Sequence, residues 1–540
     1  MTRCDAGMLR ARVRGAMRIR PVVVLLLGAS TAWAQPADKP AEPAPAAGDP
    51  VPTPSPSTEP PPEGAPPTSS PLEQKPAPPV AAPIAQPPHA EVEPPSSAPR
   101  IKDDPDNGFR FGSYGRVIAG DDLRGGKPEE IAIVAHPPRI VEPSYLELDT
   151  SYGFTTEQGL KLRPVITLAF DGTLFHDTGE FDAHPALRNM YLDAQITHEL
   201  SAWAGSRMYR GDDIYLLDYW PLDDQNIVGA GVFLHHLVGN DALELAVAGG
   251  LNRLNDPYQY QQIEVANPVQ GETTVLQLNR QRATASASLA YIKDGGPGNL
   301  SIKTKVHGEL HELGAGDFKN DDGTLTHMPG DSGYLLGAEV SLYGFQPVDS
   351  KFRRHLNLFV RYAKGLAAFD ELQPPTSLGP DRTVSRANEF TFGISGNYDH
   401  ALGNVMVGLL TRDFNDSTGE DSASTGWEYA ADIRPLAKLG KGFFAGADLS
   451  YQARFPRGLN NITLRAEDPA VFEIAPMIVL SPMGPSGYDR PELRLVYRAA
   501  HLNEGALDLY VPDDPRHAHE WVHFIGIQAE WWFNSTSYKR

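Results

Sequence analysis

The amino-acid sequence predicts an all-β protein, a transmembrane antiparallel β-barrel of about 18 strands preceded by a disordered Pro/Ala-rich segment. Three observations lead there. A secretory signal opens the chain, a period of two runs through the body from Phe109 onward, and no apolar run beyond the signal is long enough for a membrane helix. A secreted chain that enters a bilayer without helices does so as a closed sheet, because backbone groups in hydrocarbon need internal partners.

The signal is read from Met17-Arg-Ile-Arg, the apolar stretch Pro-Val-Val-Val-Leu-Leu-Leu-Gly, and Ala-Trp-Ala before Gln35. A basic start, a short apolar core and small residues at alternate positions predict cleavage after Ala34, with Met17 as an alternative start to Met1. Cys4 is the chain's only cysteine and falls before that cut, which excludes disulfides, thiol catalysis and Cys-bound zinc from the mature protein. Residues 35–105 hold 24 of the 49 prolines and no aromatic residue. Such a stretch cannot bury enough apolar surface to fold, so it is expected to be an extended linker in the periplasm. The barrel is assigned to 106–533 and a polar tail to 534–540. The formal net charge is −21, which argues against nucleic acid as a partner.

Alternation marks the strands. Ile302 and Val306, with Leu300, oppose Ser301, Lys303 and Lys305. Leu358, Val360 and Tyr362 alternate with Asn357, Phe359 and Arg361. Leu493, Leu495 and Tyr497 alternate with Glu492, Arg494 and Arg498. Near the C-terminus Ile525, Ile527, Ala529, Trp531 and Phe533 share one face, and Gln528, Glu530 and Trp532 the other. A soluble β-sandwich alternates as well. The barrel is favoured by oppositely charged residues on the second face, by short turns alternating with long loops such as 315–333 and 369–386, and by a final strand rich in aromatics. The body divides into about 24 residues per strand and connection, a workable figure for a channel-forming barrel.

Several runs carry a more specific signal. They are Phe111-Gly-Ser-Tyr114-Gly-Arg116, then Arg139 with Tyr145-Leu-Glu147, then Pro185-Ala-Leu-Arg188. Trp203-Ala-Gly-Ser-Arg207-Met-Tyr209 follows, leading through Asp212, Asp213, Leu217 and Asp218 to Tyr219 and Trp220. The chain closes with Glu520-Trp521, Gly526, Gln528, Glu530 and Trp531-Trp532-Phe533. In this order and spacing the chain resembles the maltoporin (LamB-type) family of carbohydrate-selective outer-membrane porins. The likeness spans nearly all of 109–533 and is most diffuse between about 235 and 420.

The resemblance implies a homotrimer of 18-stranded barrels in the Gram-negative outer membrane, surrounded by lipid and lipopolysaccharide, each barrel with its own pore. It implies facilitated diffusion of maltose or maltodextrin-type sugars, with no cofactor, metal or enzymatic activity. By position, Tyr114, Tyr145, Tyr488 and Trp532 match a slide of aromatic rings along which sugars pass. Phe181 falls where a neighbouring subunit lends an aromatic to the pore mouth. Arg116, Arg139, Glu147, Arg188, Asp213 and Asp218 fall on polar-track or constriction positions, and Tyr219 or Trp220 on a constriction aromatic. The sequence departs from the family in three places. The constriction arginine is displaced to Arg210 with Gly211 beside it, the mid-chain slide aromatic is replaced near His355 or Leu356, and a polar tail follows the terminal aromatic.

The residue chemistry is consistent with those positions. Tyr114 and Arg116 lie two apart and share a strand face, as do Tyr145 and Glu147. A pyranose has an apolar C–H face for Tyr or Trp and a rim of hydroxyls for Arg, Asp and Glu. At roughly 1 kcal/mol per contact, several contacts sum to about 4 kcal/mol, or millimolar affinity. A relay of weak sites lets its ligand leave. His517, His519 and His523 lack a metal-ligand spacing. The Asn320-Asp321-Asp322-Gly323 run lacks the terminal carboxylates of a calcium loop, with Phe318 and Pro329 in their places. Two alternatives remain at this stage, a porin for other small solutes or different saccharides and a barrel enzyme such as a lipase or protease.

Overall fold

A computed structural model describes residues 107–535, apart from 176–178, 180, 181, 296–298, 346–353 and 371. The signal, the proline-rich segment, most of the polar tail and Phe181 therefore lie outside the described residues.

The expected barrel is present as an 18-stranded antiparallel sheet closed on itself. Its strands run from 11 residues, as in Tyr145–Thr155, to 15, as in Asp224–Val238. The roughly 9–11 residues that a tilted strand needs to cross a bilayer are therefore met. Closure joins the first strand, Gly108–Asp121, to the last, Trp521–Phe533, with Tyr114 opposite Trp532 and Arg116 opposite Glu530. The first strand also pairs with Tyr145–Thr155, placing Tyr114 opposite Glu147 and Arg116 opposite Tyr145. Residues over 400 positions apart thus become neighbours only because the sheet has no edge.

One rim carries short connections such as 156–160, 239–240 and 401–402. The other carries long ones, including 122–144, 211–223, 253–281 and 366–387. The region expected as a loop at 315–333 contains a small hairpin, Gly316–Lys319 with Leu325–Met328, and the Asn320–Gly323 run forms its turn.

Faces alternate as the sequence predicts. Leu358, Val360, Leu493 and Leu495 are exposed outward, while Phe359, Arg361, Glu492 and Arg494 are buried inward. Leu300 lies just before the strand Ser301–Leu313. Outward aromatics gather at strand ends. Phe109, Tyr152, Phe154, Tyr291, Tyr398 and Phe533 ring the short-turn rim. Tyr334, Tyr362, Trp427, Tyr429, Phe472 and Trp521 ring the other, with aliphatic side chains between. Two aromatic girdles flanking an apolar band are the surface a barrel presents to a bilayer. At Gly115 an added Cβ would lie 2.1 Å from the Trp531 ring, so this glycine seats an outward indole.

Inside, arginines and carboxylates interleave across adjacent strands. Arg412 Nε lies 2.6 Å from Glu389 and its Nη1 3.1 Å from Glu428, and Arg434 Nε lies 2.6 Å from Asp448. Two of the long connections turn into this space. Ile131, Ile133 and Val134 from one, and Ile214, Leu217, Tyr219 and Leu222 from the other, form an apolar cluster against Phe359, Leu410 and Val471 of the wall. The two connections join where the Arg139 amide donates to the Leu216 carbonyl at 2.8 Å. The wall yields to the second of them at glycines. An added Cβ at Gly393 would lie 2.6 Å from Ile214 Cδ1, and one at Gly337 2.3 Å from Leu222 Cδ2. Gly408 likewise abuts Leu216, Ile214 and Leu217.

Candidate functional site

Six rings form a continuous row inside the barrel. Tyr145 and Tyr114 have centroids 5.9 Å apart, Tyr114 and Trp532 6.5 Å, Trp532 and Tyr215 6.2 Å. The row continues from Tyr215 to Tyr488 at 5.2 Å, and from Tyr488 to His355 at 5.6 Å. Tyr114 and Trp532 come from the closure pair of strands and Tyr145 from the next strand. Tyr488 comes from the connection after Ala470–Leu480, and Tyr215 from a short 3-10 turn, Tyr215–Leu217, in the inward segment.

Cations accompany the rings. The Arg116 and Arg188 guanidinium carbons lie 5.4 and 5.7 Å from the Tyr145 centroid. Arg139 lies 4.7 Å from Tyr215, and Arg490 4.2 Å from Trp532. Glu530 is the anionic centre. It accepts from Tyr215 Oη at 3.0 Å, Arg139 Nη2 at 3.1 Å, Arg490 Nε at 3.0 Å, Arg494 Nη2 at 3.0 Å and, more weakly, Tyr114 Oη at 3.5 Å. Each guanidinium holds a second carboxylate, with Arg139 on Glu142 at 2.7 Å and Arg490 on Glu492 at 2.9 Å. Arg494 is paired with Glu492 as well. Such an array fixes side-chain positions and keeps most charges matched, leaving polar edges beside ring faces.

The sequence-predicted residues fall into three groups. Tyr114, Tyr145, Tyr488 and Trp532 are members of the row, and Arg116, Arg139, Arg188 and Glu147 lie directly beside it. Arg116 Nη1 meets Glu142 at 2.7 Å, and Arg188 bonds Tyr145 and the fully buried Glu147. Asp218 stands at the edge of the row, 3.8 Å from Arg139, in the left-handed backbone region at φ 47°. Partial desolvation opposes its ionisation, but the nearby guanidiniums of Arg139, Arg116 and Arg210 hold its carboxyl below the usual range. Arg210, Tyr219 and Trp220 are placed apart from the row. Arg210 lies 3.7 Å from the Trp220 centroid and 2.7 Å from Asp224. Tyr219 stacks on His136 at 3.8 Å and accepts from Arg361 at 2.6 Å, within the apolar cluster. Asp213 lies on the inward segment next to Ile214.

Sequence reasoning missed Tyr215, and it treated Glu530, Arg490 and Arg494 only as neighbours of other residues. Glu530 was detectable as the same-face neighbour of Trp532. Tyr215 was not, since nothing local tells that its connection turns inward. The mid-chain member of the row is His355, because Leu356 points to the outer face. Tyr215 also covers the row. It stands edge-on to Tyr488 and Trp532, at 65° and 79°, and Tyr114, Tyr215 and Tyr488 are only 4–5% exposed. The three C-terminal histidines do not converge. His517 bonds the Leu507 carbonyl at 3.1 Å, while His523 lies on the outer face, stacked near Trp521. Among the described residues no group of His, Cys, Asp or Glu is arranged to hold a metal.

A closed barrel with two aromatic girdles and an interior lined by charges and rings defines a membrane channel of the porin class. A sequence model of the LamB porin family matches residues 142–533. The chain belongs to the LamB porin family and is an outer-membrane channel. Tyr114, Arg116 and Arg139 precede the matched stretch and join the row through strand closure and the inward connection. Nothing among curated proteins matches the chain. Solved structures similar to it include Acinetobacter baumannii OccAB1, 14% identical with TM-score 0.43, covering 79% of this chain and 96% of that one. The outer membrane channel DcaP of Acinetobacter baumannii is 11% identical with TM-score 0.38, covering 79% and 98%. OmpT of Vibrio cholerae in its trimer form is 12% identical with TM-score 0.31, covering 79% and 100%.

Proposed function

We propose that this channel carries maltose and maltodextrin-type sugars by facilitated diffusion. The observation that supports this reading best is the unbroken row from Tyr145 to His355 with guanidiniums and carboxylates along its sides. Pyranose faces stack on Tyr145, Tyr114, Trp532 and Tyr488, while Arg116, Arg139, Arg188 and Glu147 exchange hydrogen bonds with the hydroxyl rim. At about 0.5–1.5 kcal/mol per stack, a few occupied rings give millimolar binding, weak enough for release. A sugar ring entering the middle of the row displaces the Tyr215 edge from Trp532. In this reading the assembly is a homotrimer in lipid and lipopolysaccharide, with residues 35–105 in the periplasm and Phe181 at a neighbour's pore mouth.

The test is planar-bilayer conductance of the purified full chain titrated with maltose through maltohexaose. Reversible current block whose affinity rises with chain length supports the reading. Absence of block by every malto-oligosaccharide, with block by phosphate or nucleosides instead, overturns it.

A further inference from the structure

The barrel interior holds a second group of rings, apart from the row, built around one arginine. Tyr191 lies on the strand Asp182–Gln195, and Trp203 and Tyr209 on Leu200–Arg210. The Arg207 guanidinium carbon is 4.8, 5.2 and 5.3 Å from the Tyr191, Trp203 and Tyr209 centroids. Tyr191 and Trp203 meet edge to face at 6.3 Å and are locked by buried Val165, Ile227 and Ala248. The rings are therefore held in place whether or not anything binds.

Arg207 differs from the arginines of the row. Each of those lies on a carboxylate, whereas Arg207 forms no ion pair and donates no hydrogen bond among the described residues. The nearby carboxylate of Asp193 is taken by Arg163 at 2.7 Å. Rings satisfy the cation of Arg207 but offer no acceptor for its five N–H donors. Those donors border a cavity of about 190 Å³ lined by Trp203, Tyr209, Phe233, Ser286, Ser288 and His307, and also by Asp193, whose charge Arg163 holds. The cavity adjoins the Tyr145 end of the row, where Arg188 faces Tyr145 and its Nε donates to Met208 Sδ at 2.7 Å.

We propose that this cavity is a second binding site, selective for a small carboxylate carried on a six-membered ring. The carboxylate takes the Arg207 fork in the bidentate geometry that guanidinium favours, and the ring lies among Trp203, Tyr209 and Phe233. A uronic acid and an aromatic carboxylate share this chemistry. Ser286, Ser288 and His307 serve the hydroxyls of the first, and the added ring faces serve the second. A neutral sugar offers the Arg207 donors only uncharged hydroxyl oxygens, weaker acceptors than an ionised carboxylate, and binds less well.

The inference rests on the channel and not on its preference for maltodextrins. Current block by glucuronate, benzoate and glucose is compared in the native chain, in Arg207→Gln and in Arg207→Lys, with maltohexaose block recorded alongside as the separate measure of the row. Glucuronate or benzoate is expected to block the native channel at least tenfold more tightly than glucose. Arg207→Gln is expected to remove that advantage, Arg207→Lys to keep part of it, and maltohexaose block to be unchanged in both. Stronger block by glucuronate than by benzoate assigns the site to uronic acids, and the reverse order to aromatic carboxylates. Equal block by glucuronate, benzoate and glucose in the native channel overturns the proposal, as does a carboxylate preference that survives Arg207→Gln.

Discussion

Replacing Tyr215 by alanine removes the ring that covers the aromatic row, and the structure allows its effect to be sized. Tyr215 makes two edge-to-face contacts, with Tyr488 and Trp532, at about 0.5–1.5 kcal/mol each. Its hydroxyl donates to the ionised Glu530, a bond of about 1.5–3 kcal/mol, and Arg139 adds a cation–π contact of about 0.5–2 kcal/mol. These terms overlap, and the inward segment keeps other anchors in Ile214, Leu216, Leu217 and Leu222. A net loosening of about 2–4 kcal/mol is expected for the segment at the row, with the strand ladder intact because Tyr215 takes no part in it. Since 1.4 kcal/mol is tenfold, the uncovered state should gain roughly 30-fold or more. In single-channel recordings Tyr215→Ala should raise conductance and speed maltohexaose entry several-fold. Tyr215→Phe, which keeps the ring but not the bond to Glu530, should fall between. Unchanged conductance and entry rate in Tyr215→Ala would refute the covering role.

Other perturbations test the same interior. Gly408→Leu forces a side chain into the space of Leu216 and Ile214, an overpacking of about 1–3 kcal/mol that should displace the inward segment and change conductance, while the outward-facing Val407→Leu should not. Desolvation by the surrounding interior, and then the charge of Glu142, push Glu130 in the inward connection up to about 7. Glu130 is thus neutral below that pH and ionised above it, so cation selectivity measured by reversal potential should rise between pH 5.5 and 8.5. Glu130→Gln should remove that step. Glu530→Gln deletes the shared carboxylate of Arg139, Arg490 and Arg494, and reversal potentials should shift toward anions. Because each arginine keeps a second carboxylate, the loss of barrel stability in a urea titration should stay near the low end of the roughly 3–5 kcal/mol for a broken buried pair.

What the sequence revealed and what it concealed have separate physical origins. Period-two alternation is local, so the faces of Leu358, Arg361, Leu493 and Arg494 were readable from the chain alone. The same-face placement of Tyr114 with Arg116, and of Tyr145 with Glu147, was equally local. The approach of Tyr114 to Trp532 is set by closure of the sheet, and only the family resemblance suggested it. Tyr215 sits in a connection whose inward course depends on wall glycines at 337, 393 and 408, far away in sequence, and Ile131 and Ile133 sit in one that packs into the same cluster. A loop's composition does not announce that it turns into a lumen, which is why the cover over the row escaped notice. Arg207 lay within one of the runs that carry the family resemblance, but its lack of a carboxylate partner is a property of the folded wall.

The central claim is that the interior row binds the transported sugar, and one measurement addresses it most directly. Maltohexaose block is titrated in the native channel, in Tyr114→Ala and in Trp532→Ala, with potassium chloride conductance recorded for each. Loss of one stacking ring of about 1 kcal/mol should weaken block roughly fivefold in either variant while ion current persists. Identical block constants in all three channels would contradict the account.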